Sequence, residues 1–200
     1  MRTLFFILTG YLTGSILFAY YLPLWIRQVD VSAVSDDGNP GTANAFKYAG
    51  IPVGILVILC ELCKGFLPVF LAARQLDIRQ LSFALVLAAP VAGHAFPAYT
   101  GGKRGGKAIA VAFGVLLGLL PDWTPVLILI CCYLLFSLVI VIQPHLYRSV
   151  ITFLVFDLIT LFRVENRAVV AGAFLISILV IAKHMQQKQK EPLKILLLKH

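Results

Sequence analysis

Apolar residues run along this chain in seven long stretches, roughly 3–25, 50–73, 80–99, 107–120, 124–143, 149–162 and 168–183, separated by short clusters of glycine, proline, asparagine and charge. A helix rising about 1.5 Å per residue needs about 20 such residues to cross a hydrocarbon core roughly 30 Å thick. The pattern therefore predicts an all-α, polytopic integral membrane helical bundle of about seven transmembrane helices. The fourth and sixth stretches are short for a full crossing and call for flanking residues, a thinned bilayer or shielding inside the bundle. No internal repeat is evident, so the simplest organisation is one transmembrane helical domain over 1–184 followed by a basic cytoplasmic tail over 185–200.

Composition excludes an ordinary soluble enzyme: 60% of the 200 residues are apolar, 13% are charged and the mean hydropathy is +0.92, more hydrocarbon than water can wet. The first stretch, Thr3 to Trp25, is too long and wrongly flanked for a signal peptide, with only Arg2 ahead of it and no clear small-residue cleavage site, so it is expected to stay in the mature chain. The four cysteines, Cys60, Cys63, Cys131 and Cys132, lie in apolar helical stretches and are expected to act as small hydrophobes. Cys60-Glu-Leu-Cys63 spells a redox spacing without the strand-to-helix context that lowers a thiol pKa. No metal or cofactor is expected.

The net charge of +8, from 17 basic and 9 acidic residues, points to cytoplasmic loops, anionic lipid or anionic substrate, and no nucleic-acid signature accompanies it. If seven helices alternate, eleven basic residues fall on the side of the odd-to-even loops and the C-terminal tail, against five on the other side. That excess places the N-terminus outside and the C-terminus in the cytoplasm. The close of the tail, residues 193–199, reads either as a short amphipathic piece lying against anionic headgroups or as a frayed end.

Polar groups are costly near a membrane unless they serve something, and here they gather in two loops on the inferred cytoplasmic side. The first runs from Ser35 through Asp36, Asp37, Gly38, Asn39, Pro40, Gly41, Thr42 and Asn44 to Lys47. Its glycines allow close backbone approach, and its asparagines and threonine offer donors, so it can turn several N–H groups toward an anion. The second runs from Gly93 and His94 to Lys103, Arg104, Gly105, Gly106 and Lys107, with an apolar helix directly after it. A glycine-rich turn, three cations and a helix N-terminus each attract phosphate. Ala108 follows the Gly-Lys pair where a nucleotide-binding P-loop needs Ser or Thr, which disfavours ATP hydrolysis. His94 can hydrogen-bond a phosphate oxygen or accept a hydroxyl proton. Lys64, inside the second stretch, needs a partner, and Glu61 one helical turn earlier is the local candidate. Lys183 and His184 close the last stretch, where snorkelling is sufficient explanation.

In this order and spacing the motifs resemble the bacterial acyl-phosphate-dependent glycerol-3-phosphate acyltransferase family, PlsY, over nearly the whole chain. Tyr11-Leu-Thr-Gly14-Ser15-Ile16 is similar to the family's Tyr-Leu-x-Gly-Ser-Ile, and Gly38-Asn39-Pro40-Gly41-Thr42-Ala43-Asn44 to its Gly-Asn-x-Gly-Ala-Thr-Asn. Lys64-Gly65, Gly93-His94-Ala95-Phe96-Pro97, Gly105-Gly106-Lys107 and Lys183-His184 match its later motifs. The resemblance implies acyl transfer from acyl phosphate to the sn-1 hydroxyl of glycerol 3-phosphate, with no metal or acyl carrier protein, and long acyl chains lying between helices. It implies catalytic roles for His94 and Asn39. Phosphate or substrate binding would fall to Asp37, Gly38, Gly41, Thr42, Asn44, Lys47, Lys64, Lys103, Arg104, Gly105, Gly106, Lys107, Lys183 and His184. The partners implied are the two phosphorylated substrates and membrane lipid.

Several positions depart from the family pattern and mark a divergent branch, which admits another donor or another acceptor such as a related polyol phosphate. Asp37 stands where the family has Ser, with Asp36 before it, and two carboxylates oppose phosphate unless lysines neutralise them. Ala-Thr is permuted to Thr42-Ala43, Lys47 replaces an Arg, the cation loop is one residue longer, and Val111 stands at a Thr position. The competing reading is a non-catalytic anion- or headgroup-binding or transport protein on the same bundle. Only Glu61, Lys64 and Asp157 are charged well inside the stretches, which favours interfacial chemistry over permeation.

Overall fold

The structure is a computed structural model describing residues 1–102, 104–186 and 192–197. Among the described residues the α-helices are, in order, α1 (Arg2–Gly14), α2 (Phe18–Arg27), α3 (Val31–Val34), α4 (Thr42–Ala49), α5 (Ile51–Ala73), α6 (Phe83–Ala95), α7 (Ile109–Leu117), α8 (Thr124–Leu134), α9 (His145–Arg163) and α10 (Arg167–Met185). Five stretches are long and apolar enough to cross a membrane: Arg2–Arg27, Ile51–Ala73, Phe83–Thr100, His145–Arg163 and Arg167–Met185. Thr124–Val139 is a shorter apolar helix. α7 has only nine residues, too few to span alone, and it packs against α5 with Val111, Ala112, Val115 and Leu116 buried. The chain is thus a mostly helical, multi-pass membrane protein. On α9, Leu154, Leu158 and Leu161 form an exposed apolar stripe at helical spacing.

α6 is the centre of the bundle, packed against α1, α10 and α7. Hydrocarbon gives helices little hydrophobic reason to associate, so close packing of small residues must hold them. A Cβ on Gly14 would run into the Pro90 carbonyl of α6, and one on Gly93 into the Tyr11 carbonyl of α1. Gly65 and Gly114 make the same kind of crossing between α5 and α7. Gly93→Ala is therefore expected to destabilise by about 1–3 kcal/mol through overpacking, lowering the melting midpoint in detergent by roughly 2–10 °C. An unshifted melt would refute the close crossing.

The first apolar stretch, expected as one helix, is broken at Ser15-Ile16-Leu17 between α1 and α2. Backbone groups freed inside a membrane need partners, and the second crossing supplies them. Lys64 Nζ donates to the Ile16 carbonyl at 2.6 Å, and the Ala19 N–H donates to Glu61 Oε1 at 3.1 Å. Ser15 Oγ donates to the Tyr11 carbonyl at 2.8 Å and accepts the Ala98 N–H at 3.1 Å, tying the break to the end of α6.

Two further expectations are corrected. The fifth stretch does not continue as helix to 143: α8 passes through a π-helical turn, Leu135–Val139, into strand β1 (Ile140–Gln143). The run Val139-Ile-Val-Ile142 is β-branched, and Pro144 disfavours helical backbone at the residue before it. The tail is no free amphipathic piece, because β2 (Lys194–Leu197) pairs antiparallel with β1, setting Ile140 opposite Leu197 and Gln143 opposite Lys194. The bundle is therefore not purely α; it carries a two-stranded ribbon. Tail lysines 188, 190 and 199 lie outside the described residues.

Candidate active site

Both polar loops reach one cavity of about 470 Å3. In the first loop Asp30 caps α3 by accepting the N–H groups of Ser32 and Ala33, and a turn through Gly38, with φ +62°, delivers Asp37 and Asn39 to the N-terminus of α4. Asp37 Oδ1 accepts from the Asn39 N–H at 3.2 Å and from Asn44 Nδ2 at 2.9 Å, and Asn44 Nδ2 also donates to the Asn39 carbonyl at 2.8 Å.

The second loop closes over α6 because it has no side chains in the way. A Cβ on Gly105 would run into the Ala95 carbonyl and one on Gly106 into His94 Nε2, while the Gly106 N–H donates to the His94 carbonyl at 3.1 Å. Lys107 then extends to Asp37 Oδ2 at 2.8 Å, joining residues 70 positions apart. Burial pushes the Asp37 carboxyl up, but the hydrogen bond and charge of Lys107, with the Asn39 and Asn44 donors, hold it below the ordinary 3.8. A lowered carboxylate pKa means the clasp is complete above pH 3.8 and is lost only as pH falls through the lower folded value. The expected result is a pH-activity profile between 5 and 9 whose inflections are unchanged by Asp37→Asn; an inflection that vanished in that variant would contradict the pairing.

Behind this clasp sits a buried cluster. Lys64 Nζ lies 2.7 Å from Glu61 Oε2 and 2.8 Å from His94 Nδ1, and Nδ1 lies 3.1 Å from Glu61 Oε2. All three side chains are at most 5% exposed. The Lys64 ammonium donates to the Ile16 carbonyl and has Glu61 Oε2 and His94 Nδ1 within reach, while Glu61 Oε2 is itself close enough to Nδ1 to share it. Nε2 is left as the ring nitrogen beside Gly106. The ring is held at the cavity wall.

Of the residues singled out from sequence, Asp37, Asn39, Gly41, Thr42, Asn44, His94 and Lys107 line this cavity. The rest of its wall is largely apolar and includes Phe46, Ile58, Ile109, Val111 and Phe113. Gly38, Gly105 and Gly106 shape the loops, and Lys64 stands behind His94. Lys47 is not in the cavity: it is exposed and pairs with Asp36 at 3.1 Å. Hydrogen bonds to Tyr48 and Asp36 raise its pKa above the ordinary lysine value. Lys47→Ala is expected to leave turnover within about twofold, since exposed pairs contribute little; a tenfold loss would bring Lys47 into the site. Arg104 leans on Tyr20, with Nη1 2.9 Å from the phenol oxygen, and Lys183 lies over the Phe96 ring, 5.2 Å from its centroid. His184 is buried, bonding the Val180 carbonyl through Nδ1 at 2.8 Å. Lys103 lies outside the described residues.

The sequence reading missed His145, which also lines the cavity. Its only signal was a histidine after Gln-Pro, ahead of the sixth stretch as read from 149. Among the described residues no cluster of three or more His, Cys, Asp or Glu is placed to hold a metal ion.

The sequence pattern of the family described as Glycerol-3-phosphate acyltransferase matches residues 4–191. The chain belongs to that family. Within the glycerol-3-phosphate acyltransferases, it is 44% identical to a relative from Myxococcus xanthus over 117 residues, 58% of this chain and 59% of the relative. It is 30% identical to one from Syntrophotalea carbinolica over 185 residues, 92% and 91% of the two chains. The chain thus spans about three-fifths of the Myxococcus relative and nearly all of the Syntrophotalea one. Two solved structures of PlsY, an integral membrane glycerol 3-phosphate acyltransferase, in its glycerol 3-phosphate and lysophosphatidic acid forms, are similar in fold. Their TM-scores are 0.80 and 0.79 at 27% identity, covering 93% of this chain and 90% and 89% of theirs.

Proposed function

We propose that this chain is a membrane acyltransferase of phospholipid synthesis, moving an acyl group from acyl phosphate to the sn-1 hydroxyl of glycerol 3-phosphate. The hydroxyl oxygen attacks the acyl carbon, the carbon–oxygen bond to phosphate breaks, and the hydroxyl proton leaves on the departing phosphate. The products are lysophosphatidic acid and inorganic phosphate. One observation carries the reading: Asn39, Asn44, His94 and Lys107 line one cavity, with Asp37, Thr42, Glu61 and His145 as its other polar members and an otherwise largely apolar wall. That suits a phosphorylated head with an acyl chain behind it. Family membership and the PlsY likeness support the same assignment.

Lys107, Asn39, Asn44 and Thr42 hold the phosphates, and His94 orients the reacting oxygen through Nε2 instead of removing its proton. An acyl phosphate already carries a good leaving group, so positioning two anions and stabilising developing charge supply much of the acceleration. Seven crossings with the N-terminus outside place this cavity at the cytoplasmic face of a bacterial inner membrane. The eleven-to-five basic excess supports that orientation, as does the pairing of the tail strand with β1 just ahead of His145. The organisation is one bundle over 1–184 with a basic tail. Transport is less well supported, since Glu61 and Lys64 engage each other and the α1–α2 break, and Asp157 accepts from Ser177 Oγ at 2.7 Å.

The test is purified protein in lipid given palmitoyl phosphate and glycerol 3-phosphate. Lysophosphatidic acid and one equivalent of phosphate are expected; a folded protein giving neither overturns the proposal. Because the Asp37 carboxylate engages Lys107, an incoming phosphate must displace it, and Asp37→Ser is expected to lower the KM for glycerol 3-phosphate about tenfold. An unchanged KM would mean that Asp37 does not compete with substrate.

A further inference from the structure

His145 opens α9 directly after Pro144 and shares the cavity wall with Asn39 and Lys107. Its ring is fixed from two directions. One face stacks on His184, with centroids 5.8 Å apart and planes 12° from parallel. One edge is tied, because Nδ1 lies 3.0 Å from Ser149 Oγ one turn further along the helix. Ser149 is 1% exposed and accepts the Tyr133 hydroxyl at 3.3 Å.

With the Tyr133 hydroxyl donating, this hydroxyl chain runs in one direction. A serine oxygen that accepts the phenol proton still has one hydrogen of its own to donate, and the acceptor within reach is Nδ1. A neutral imidazole accepting at Nδ1 carries its proton on Nε2, the edge away from Ser149. A histidine stacked, hydrogen-bonded and still open to a cavity lined by anion-holding groups is built as a donor.

We propose that His145 is a substrate-contacting residue, donating Nε2–H to a phosphate oxygen of the anion held by Lys107. Tyr133 and Ser149 are positioning residues that keep the proton on that nitrogen. The proposal rests on the acyl-transfer reading and adds a phosphate contact to it. The phosphate belongs either to the acyl donor or to the glycerol acceptor, and the two are told apart by which Michaelis constant responds.

A glutamine amide nitrogen reaches about the position of Nε2, an asparagine amide nitrogen about that of Nδ1. His145→Asn is therefore expected to raise the KM of one substrate about tenfold with kcat within threefold, while His145→Gln restores most of the affinity. Ser149→Ala and Tyr133→Phe, which only release the tautomer, are expected to raise the same KM two- to fivefold. Inorganic phosphate binding, followed by its stabilisation of the melt, is expected to weaken in parallel about tenfold in His145→Asn and to recover in His145→Gln. Wild-type-like KM values and phosphate binding in His145→Asn overturn the proposal, as does a His145→Gln variant no better than His145→Asn. If His145→Asn does not fold, unchanged constants in Ser149→Ala and Tyr133→Phe overturn it instead. Wild-type protein that binds phosphate but makes no product refutes the acyl-transfer reading, and the phosphate arm still decides the role of His145.

Discussion

Lys107→Ala is expected to lower kcat/KM for acyl transfer by roughly 100- to 1,000-fold, the loss typical of removing one charge-stabilising donor from a reacting site. The ammonium is well placed for that effect. Its side chain is 15% exposed, it stands at the cavity wall, and its present partner is a carboxylate 2.8 Å away. Part of the loss has a separate origin, because alanine leaves the negative charge of Asp37 facing an arriving phosphate without the lysine to offset it. Residues in direct contact do not add, so Lys107→Ala combined with Asp37→Ser is expected to regain about tenfold over Lys107→Ala alone. The melt of each variant is expected to stay within a few degrees of wild type. Steady-state kinetics on the four proteins test this, and a Lys107→Ala enzyme within threefold of wild type would move the chemistry elsewhere.

Lys64→Met is expected to act on stability first. It strands the buried carboxylate of Glu61, and it removes the donor to the Ile16 carbonyl at the α1–α2 break. Leaving one member of a buried ion pair uncompensated costs about 3–5 kcal/mol, which for a chain of this size lowers the melting midpoint by roughly 10 °C. Glu61→Gln together with Lys64→Met removes both charges and is expected to recover much of that loss, while activity stays low because His94 has lost the group that fixes its ring. Thermal melts in one detergent decide it. A single variant as stable as wild type would show that the pair does not stitch the break.

The apolar stretches were legible because lipid rewards continuous hydrocarbon on every side of a helix, and all seven contain helices. Their interruptions were harder to read. Gly14-Ser15-Ile16 looks like unbroken helix until the groups that accept its freed backbone are known, and these lie more than 40 residues away at Glu61 and Lys64. The Glu61 to Lys64 pairing was readable, since it is local on one helix. The Asp37 clasp was not, since Lys107 is 70 positions distant. Sequence treated Asp37 as an obstacle to phosphate, and the fold supplies the lysine that neutralises it. Lys47, grouped with the phosphate cations, faces outward because α4 gives Asn44 the inward position. His145 escaped notice because a single histidine beside a proline carries no spacing pattern.

The ion pair behind the broken first helix also bears on how the chain enters a bilayer. α5 emerging alone would take Glu61 and Lys64 into hydrocarbon uncovered, at about 2.5–3.5 kcal/mol for each charge near the midplane. Beside the first segment, the same charges meet the Ile16 carbonyl and the Ala19 amide. Side by side, the first two crossings therefore spare each other exposed polar groups in hydrocarbon, the charges of the second covering the freed backbone of the first.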